Sequence, residues 1–174
     1  MIVWKEINMI INYEKIIDNE DEIQTNDMMD AFKTAGLAIH AICNYSLENQ
    51  EKFFNMLKKL MGEAQEISNL MKSSINDRMR QNDKWQFIGK SYFVGATPDN
   101  DYTPSEPLSI EVKENPYSYE NEGYARLLLH SGGADSDRFI TLRKMKDGRW
   151  VVWSDSIIGL LTDIRKPESQ NPWA

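Results

Sequence analysis

The stretch Gly123–Asp155, GYARLLLHSGGADSDRFITLRKMKDGRWVVWSD, decides the fold. Its first part, Tyr124 to His130, sets Ala125, Leu127 and Leu129 on one face and Tyr124, Arg126, Leu128 and His130 on the other. That period-two alternation predicts a strand with one buried side. A second strand, about Arg138 to Met145, opposes Ile140, Leu142 and Lys144 to Phe139, Thr141, Arg143 and Met145. Lys146-Asp147-Gly148-Arg149 then predicts a tight hairpin, because glycine tolerates the positive φ such turns need. In the third strand Trp150 and Val152 oppose Val151 and Trp153. Three consecutive antiparallel strands make a meander.

Upstream, Leu108, Ile110 and Val112 alternate with Ser109, Glu111 and Lys113, which predicts another half-buried strand. Ser91-Tyr92-Phe93-Val94 reads as a short strand, and Gly95 to Pro107 as a loop with three prolines. Before residue 82 the pattern is helical. Asn26 or Asp27 offers a cap for a helix to about Tyr45, apolar round more than half its circumference and interrupted by small Ala35, Gly36 and Ala38. Ser46 offers a cap for a second helix, about Leu47 to Met61, stopped by Gly62. Ser68 caps a third, to about Arg80. In residues 1–17, Trp4, Ile7, Ile10 and Ile11 recur at helical spacing, so a helix is expected there although the β-branched content also suits a strand. Asp18 to Glu22 is a solvated connection. At the far end Ser154 or Asp155 caps a short helical turn, and Pro167 forbids its continuation.

Helices followed by strands give an α+β fold: N-terminal helices packed on one face of a C-terminal antiparallel β-meander, either cone-like or a two-layer sandwich. Neither half is expected to be stable alone. The expectation is therefore a single domain over residues 1–174, helical to about 82, with sheet and tail from about 86.

The 174 residues carry a net charge of −7 and no block of Lys or Arg, which argues against nucleic acid as a partner. Cys43 is the single cysteine, so no intrachain disulfide is available, as suits a reducing compartment. Lys5 and Glu6 interrupt any signal-peptide core, and no segment has the length of a membrane span. A cytoplasmic location without membrane contact is the expectation.

The C-terminal half also carries particular motifs. These are Ser91-Tyr92-Phe93 with Gly95-Ala96-Thr97-Pro98, Tyr102-Thr103-Pro104, and Glu114-Asn115-Pro116-Tyr117-Ser118-Tyr119. They continue with Glu122-Gly123-Tyr124-Ala125, Ser131 to Ser136, Asp163-Ile164-Arg165-Lys166-Pro167 and Pro172-Trp173. In these residues the chain resembles a family of small bacterial proteins known only as a domain of unknown function. The resemblance covers half to two-thirds of the chain. It implies a compact domain and brings no activity, cofactor or catalytic residue with it.

Several groups deserve a chemical reading. Asp135-Ser136-Asp137 after Gly132-Gly133 offers carboxylates to a hard cation, but two acids fall short of a calcium shell, and a polar loop is the better account. The glycine pair lies between strands rather than at a helix start, so a turn of unusual φ is preferred over a phosphate cradle. His40 belongs to the apolar helix; His130 ends a strand beside Ser131, Asp135 and Asp137. Neighbours on a strand face opposite ways, which counts against a Ser/His/Asp triad. Cys43 has no basic activator beside it. No metal site and no cofactor are expected. Tyr117, Tyr119 and Tyr124 surround one turn and Tyr102 sits on the long loop, either as a recognition surface or with each hydroxyl bonded locally. Trp173 implies a tail that docks, on its own fold by preference or on a partner.

The candidate surface is thus Tyr92, Tyr102, Tyr117, Tyr119, Tyr124, Arg126, His130, Asp135, Asp137 and Trp173. The expected function is a non-catalytic interaction protein with a protein partner. The alternative is a small-molecule pocket of hydrolase or isomerase type between helices and sheet, lined by Tyr92, Tyr124, Arg126, His130 and Trp150.

Overall fold

A computed structural model describes residues 7–173. In chain order they form β1 (Ile7–Asn12), α1 (Ala31–Cys43), α2 (Glu51–Met61), α3 (Asn69–Arg80), β2 (Ser109–Glu114), β3 (Tyr124–Leu129), β4 (Arg138–Lys144) and β5 (Trp150–Val152). The five strands make one antiparallel sheet in the order β1-β2-β3-β4-β5. The protein is α+β, and most of its strands follow its helices.

The hairpin between β4 and β5 forms as the sequence predicts. Gly148 turns at φ +95, and Gly148 N–H donates to the Met145 carbonyl at 3.0 Å. Alternation divides the sheet into two faces. Ile110, Val112, Ala125, Leu127, Leu129, Ile140, Leu142 and Val152 are buried. Helix α1 touches every strand and supplies the other side of this core through Leu37, Ile39 and Ile42. Burying each of those side chains contributes roughly 1.5–3 kcal/mol. A polar contact fixes the helix lengthwise, because buried Thr34 donates its hydroxyl to the Trp150 carbonyl at 3.0 Å.

The opposite face stays open over β3 and β4. Arg126, Phe139 and Arg143 are exposed there, and Tyr124, Leu128 and Thr141 are half-buried.

Four local expectations need correction. The expected N-terminal helix is an edge strand, with Ile7 paired to Glu114 and Ile11 to Ile110. Directly paired residues share a face, so Ile7, Met9 and Ile11 lie on the side of Ile110 and Val112. Ile10 points the other way and is 61% exposed. Trp4 falls outside the described residues. Ser91 to Val94 is not a strand; Lys90–Tyr92 is a 3-10 turn and Phe93 alone bridges to Ile110. The Ser91 hydroxyl bonds back to Ile88 O at 2.6 Å, and that local bond competes with an extended backbone. Asp30, not Asn26 or Asp27, caps α1 by accepting from Phe32 N at 2.8 Å. Helix α2 starts four residues beyond the expected Leu47, where Asn49 accepts from Glu51 N at 3.0 Å. Ser68 caps α3 as predicted.

An extended segment links β1 to the helices and is strapped across α1. Ile17 N–H donates to Nδ1 of the fully buried His40 at 2.9 Å, while Asn44 Nδ2 donates to Ile17 O at 2.7 Å. The Tyr13 ring meets His40 edge-on, with centroids 4.2 Å apart.

Candidate functional site

The open sheet face carries an alternation of cations and rings. Register pairs Tyr124 with Arg143, Arg126 with Thr141 and Leu128 with Phe139, so all six side chains point the same way. The Arg126 guanidinium lies 3.8 Å from the centroid of Phe139. That of Arg143 lies 4.4 Å from Trp153 and 5.3 Å from Tyr124, and these two rings meet edge to face at 5.8 Å. Contacts of this kind are worth about 0.5–1 kcal/mol each at exposed sites. Trp153 reaches this position because the extended chain continues past β5, with Trp153 N–H bonded to Thr141 O at 2.9 Å.

Two hollows border the Arg143–Trp153 stack. One, of about 340 Å³, is walled by Tyr117, Ser118, Glu120 and Asn121 and floored by Tyr124, Arg126 and Thr141. The other, of about 460 Å³, is lined by Met61, Ala64, Met145 and Val151. Trp153 belongs to both, and also to a third of about 420 Å³ lined by Gln65, Met71 and Ile158.

Of the ten residues singled out in the sequence, the structure brings Tyr117, Tyr124 and Arg126 together on this face. Tyr92 and Tyr102 are core residues, each 1% exposed, and belong to no surface. Their hydroxyls account for this: Tyr92 donates to Leu160 O at 2.5 Å and Tyr102 to Arg165 O. A buried tyrosine with a satisfied hydroxyl is a packing residue. Tyr119 leaves the group too. It is 49% exposed but lines none of these hollows, and partial burial together with the neighbouring Glu114 raises its phenol above the usual range.

His130 stands at the other end of β3, with Nδ1 3.1 Å from an Asp137 oxygen, and Lys113 reaches the second oxygen at 3.3 Å. Ser131 is buried and donates its hydroxyl to Ser91 Oγ at 2.7 Å, turned away from the imidazole. The Ser/His/Asp geometry is therefore absent. Asp135 pairs with Arg165 instead, so the two loop carboxylates separate. Among the described residues, no three His, Cys, Asp or Glu side chains gather as a metal cluster. Although part of Cys43 reaches the surface, its thiol is buried, which pushes its pKa up to about 12 and keeps it protonated at neutral pH.

The pocket expected between helices and sheet does not assemble. Tyr92 is in the core and His130, Tyr124 and Arg126 face outward, while Trp150 sits on β5. Sequence reading missed Phe139, Arg143 and Trp153 as site residues. Their signal was present in the alternation that set Phe139, Thr141 and Arg143 opposite the core positions.

The glycine pair has a steric reason rather than an unusual φ; neither residue has a positive φ. A Cβ on Gly132 would overlap the Ala96 carbonyl oxygen, and one on Gly133 would overlap the Tyr102 hydroxyl. These glycines let the loop press against its neighbour.

The tail docks in part. Ile164 is 1% exposed and Arg165 N–H donates to Gly133 O at 2.9 Å, whereas Trp173 is 80% exposed. Truncation after Pro167 removes one side-chain bond to the body, Ser169 to Asp101, on the surface. Its expected cost is below about 1 kcal/mol, read from urea unfolding. A larger loss would place the end of the tail in the fold's stability.

A family model described as a domain of unknown function (DUF6935) matches residues 14–168. The chain belongs to this family. The match takes in α1 to α3, β2 through β5 and the Arg126, Phe139, Arg143 and Trp153 positions of the open face. No match was found among curated proteins or among solved structures. Among the described residues, no helix of this DUF6935 chain is long and apolar enough to cross a membrane.

Proposed function

We propose that this DUF6935 protein is a non-catalytic binding protein whose open sheet face receives a protein partner. The arrangement is read as two layers, with helices on one face of the sheet and the other face left for recognition. The observation that carries the reading is the pair of arginines held flat over aromatic rings on that face. Arg and aromatic side chains are the residue types that dominate binding energy at protein interfaces. A rigid sheet presents them with little conformational freedom left to lose on association.

The test is capture from native lysate on immobilised protein, comparing wild type with an Arg126→Ala/Arg143→Ala double variant. Both positions are exposed, so the variant is expected to melt within a few degrees of wild type. A stoichiometric partner retained by wild type and lost by the double variant is the expected result. A partner held equally by both would move the interface elsewhere.

A further inference from the structure

The guanidinium groups of this face are stacked but not bonded. Of the other five arginines four are occupied: Arg78 donates to Ser74 O, Arg138 to Thr162 O, Arg149 to Asp147 and Glu63, and Arg165 to Asp135, while Arg80, exposed at the end of α3, is likewise without a side-chain bond among the described residues but stacks on no ring there. Arg126 and Arg143 make no side-chain hydrogen bond and no ion pair among the described residues, although the chain has 27 acidic residues against 20 Lys and Arg. Stacking occupies the flat face of a guanidinium and leaves its edge donors free, in the planar fork that matches a carboxylate. Two such forks flank Thr141, one leaning over Phe139 on β4 and the other over Trp153 beyond β5.

We infer that the occupant of this face is an extended acidic segment of the partner protein, with two carboxylates set on Arg126 and Arg143 and a large apolar side chain in the hollow lined by Met61, Met145 and Val151. The inference rests on the binding reading above and adds the chemistry of what is bound. Charge complementarity selects carboxylates. The layout selects a chain over a small molecule, since the hollows of about 340 and 460 Å³ lie on either side of the Arg143–Trp153 ridge. One compact ligand fills one hollow; a polypeptide crosses the ridge and fills both. Residues i and i+2 of an extended chain point the same way about 7 Å apart, a spacing suited to neighbouring positions on adjacent strands. The net charge of −7 opposes an acidic partner at long range, but at physiological salt that field is screened over about 8 Å and the local cations dominate at contact.

The experiment is fluorescence anisotropy on the full chain with a panel of labelled octapeptides. Each bears two glutamates at i and i+1, i+2 or i+3 between leucine and phenylalanine, with matched glutamine and lysine versions as controls. At least one acidic peptide is expected to bind about tenfold or more tightly than its glutamine version at low salt, with the advantage shrinking at 0.5 M. Arg126→Gln and Arg143→Gln are each expected to weaken binding about tenfold and remove the preference for acid. Arg143→Lys keeps the charge but loses the fork, and should fall between. Equal binding of acidic and glutamine peptides, a preference for lysine, no binding across the panel, or indifference to both variants would overturn the inference. If lysate capture still depends on the two arginines while the panel fails, the face is an interface for different chemistry. If capture is also independent of them, the binding reading itself falls.

Discussion

Gly132→Ala is expected to lower stability by about 3 kcal/mol, a fall of roughly 6–12 °C in Tm for a chain of this size. The loop is closed by backbone on both sides of this residue. Gly132 N–H donates to Ser91 O at 2.8 Å, and an added methyl would run into the Ala96 carbonyl oxygen. A carbonyl fixed in the chain cannot swing aside as the end of a side chain can. Gly133→Ala meets a softer obstacle, the Tyr102 hydroxyl, whose ring stacks on Phe87 with centroids 5.4 Å apart. Its cost should be smaller because the tyrosine can tilt. Thermal melts of the two variants check both the size and the order. An unchanged melt for Gly132→Ala would mean that the loop does not seat against Ala96.

The second expected result concerns acid. His40 is buried among apolar groups, and desolvation lowers its pKa from 6.5 to about 4. Ile17 N–H donates to Nδ1, so that nitrogen must offer a lone pair and the proton of the neutral ring sits on Nε2. Protonation would bring two hydrogens face to face and place a charge where no acceptor waits, because Nε2 has no partner among the described residues. The unfolded chain takes up this proton near pH 6.5, and the folded chain only near pH 4. The contribution is therefore fully present above pH 6.5 and is lost as the pH falls toward 4. The linked change is about 3 kcal/mol. His40→Gln supplies a carbonyl to the Ile17 N–H without the titrating ring. The difference in unfolding free energy between wild type and His40→Gln, followed from pH 7.5 to 4.5, isolates this group from the carboxylates common to both. A pH-independent difference would show that the imidazole accepts its proton in place.

The sheet and the three helices were legible because their burial has a simple period. In β3 and β4 every second residue enters the core, and the Asp147-Gly148 turn punctuates the alternation. Strand β1 was not legible, because an edge strand buries so little that its outward residues need not be polar. Ile10 is apolar and exposed, and with Ile7 and Ile11 it imitates a helical stripe. Tyr92 and Tyr102 misled for a related reason. Their polar tips suggest a surface, yet each tip is satisfied by a carbonyl from the segment Leu160–Arg165, far along the chain. Such a long-range pairing leaves no trace in local sequence. The site was half visible: Tyr124 and Arg126 stand out on one strand, but Arg143 and Trp153 join them only through the register of two neighbouring strands.

The pairing of β1 with β2 also sets an order of events. About a hundred residues separate Ile7 from Glu114, and among the described residues β2 is the only strand to which β1 is bonded. During synthesis at about 5–20 residues per second, β1 waits roughly 5–20 seconds for its mate to be made. All three helices are complete before then. Over that interval the apolar side chains of Ile7, Met9 and Ile11 have no sheet to enter, so the earliest strand of this fold becomes structure among the last.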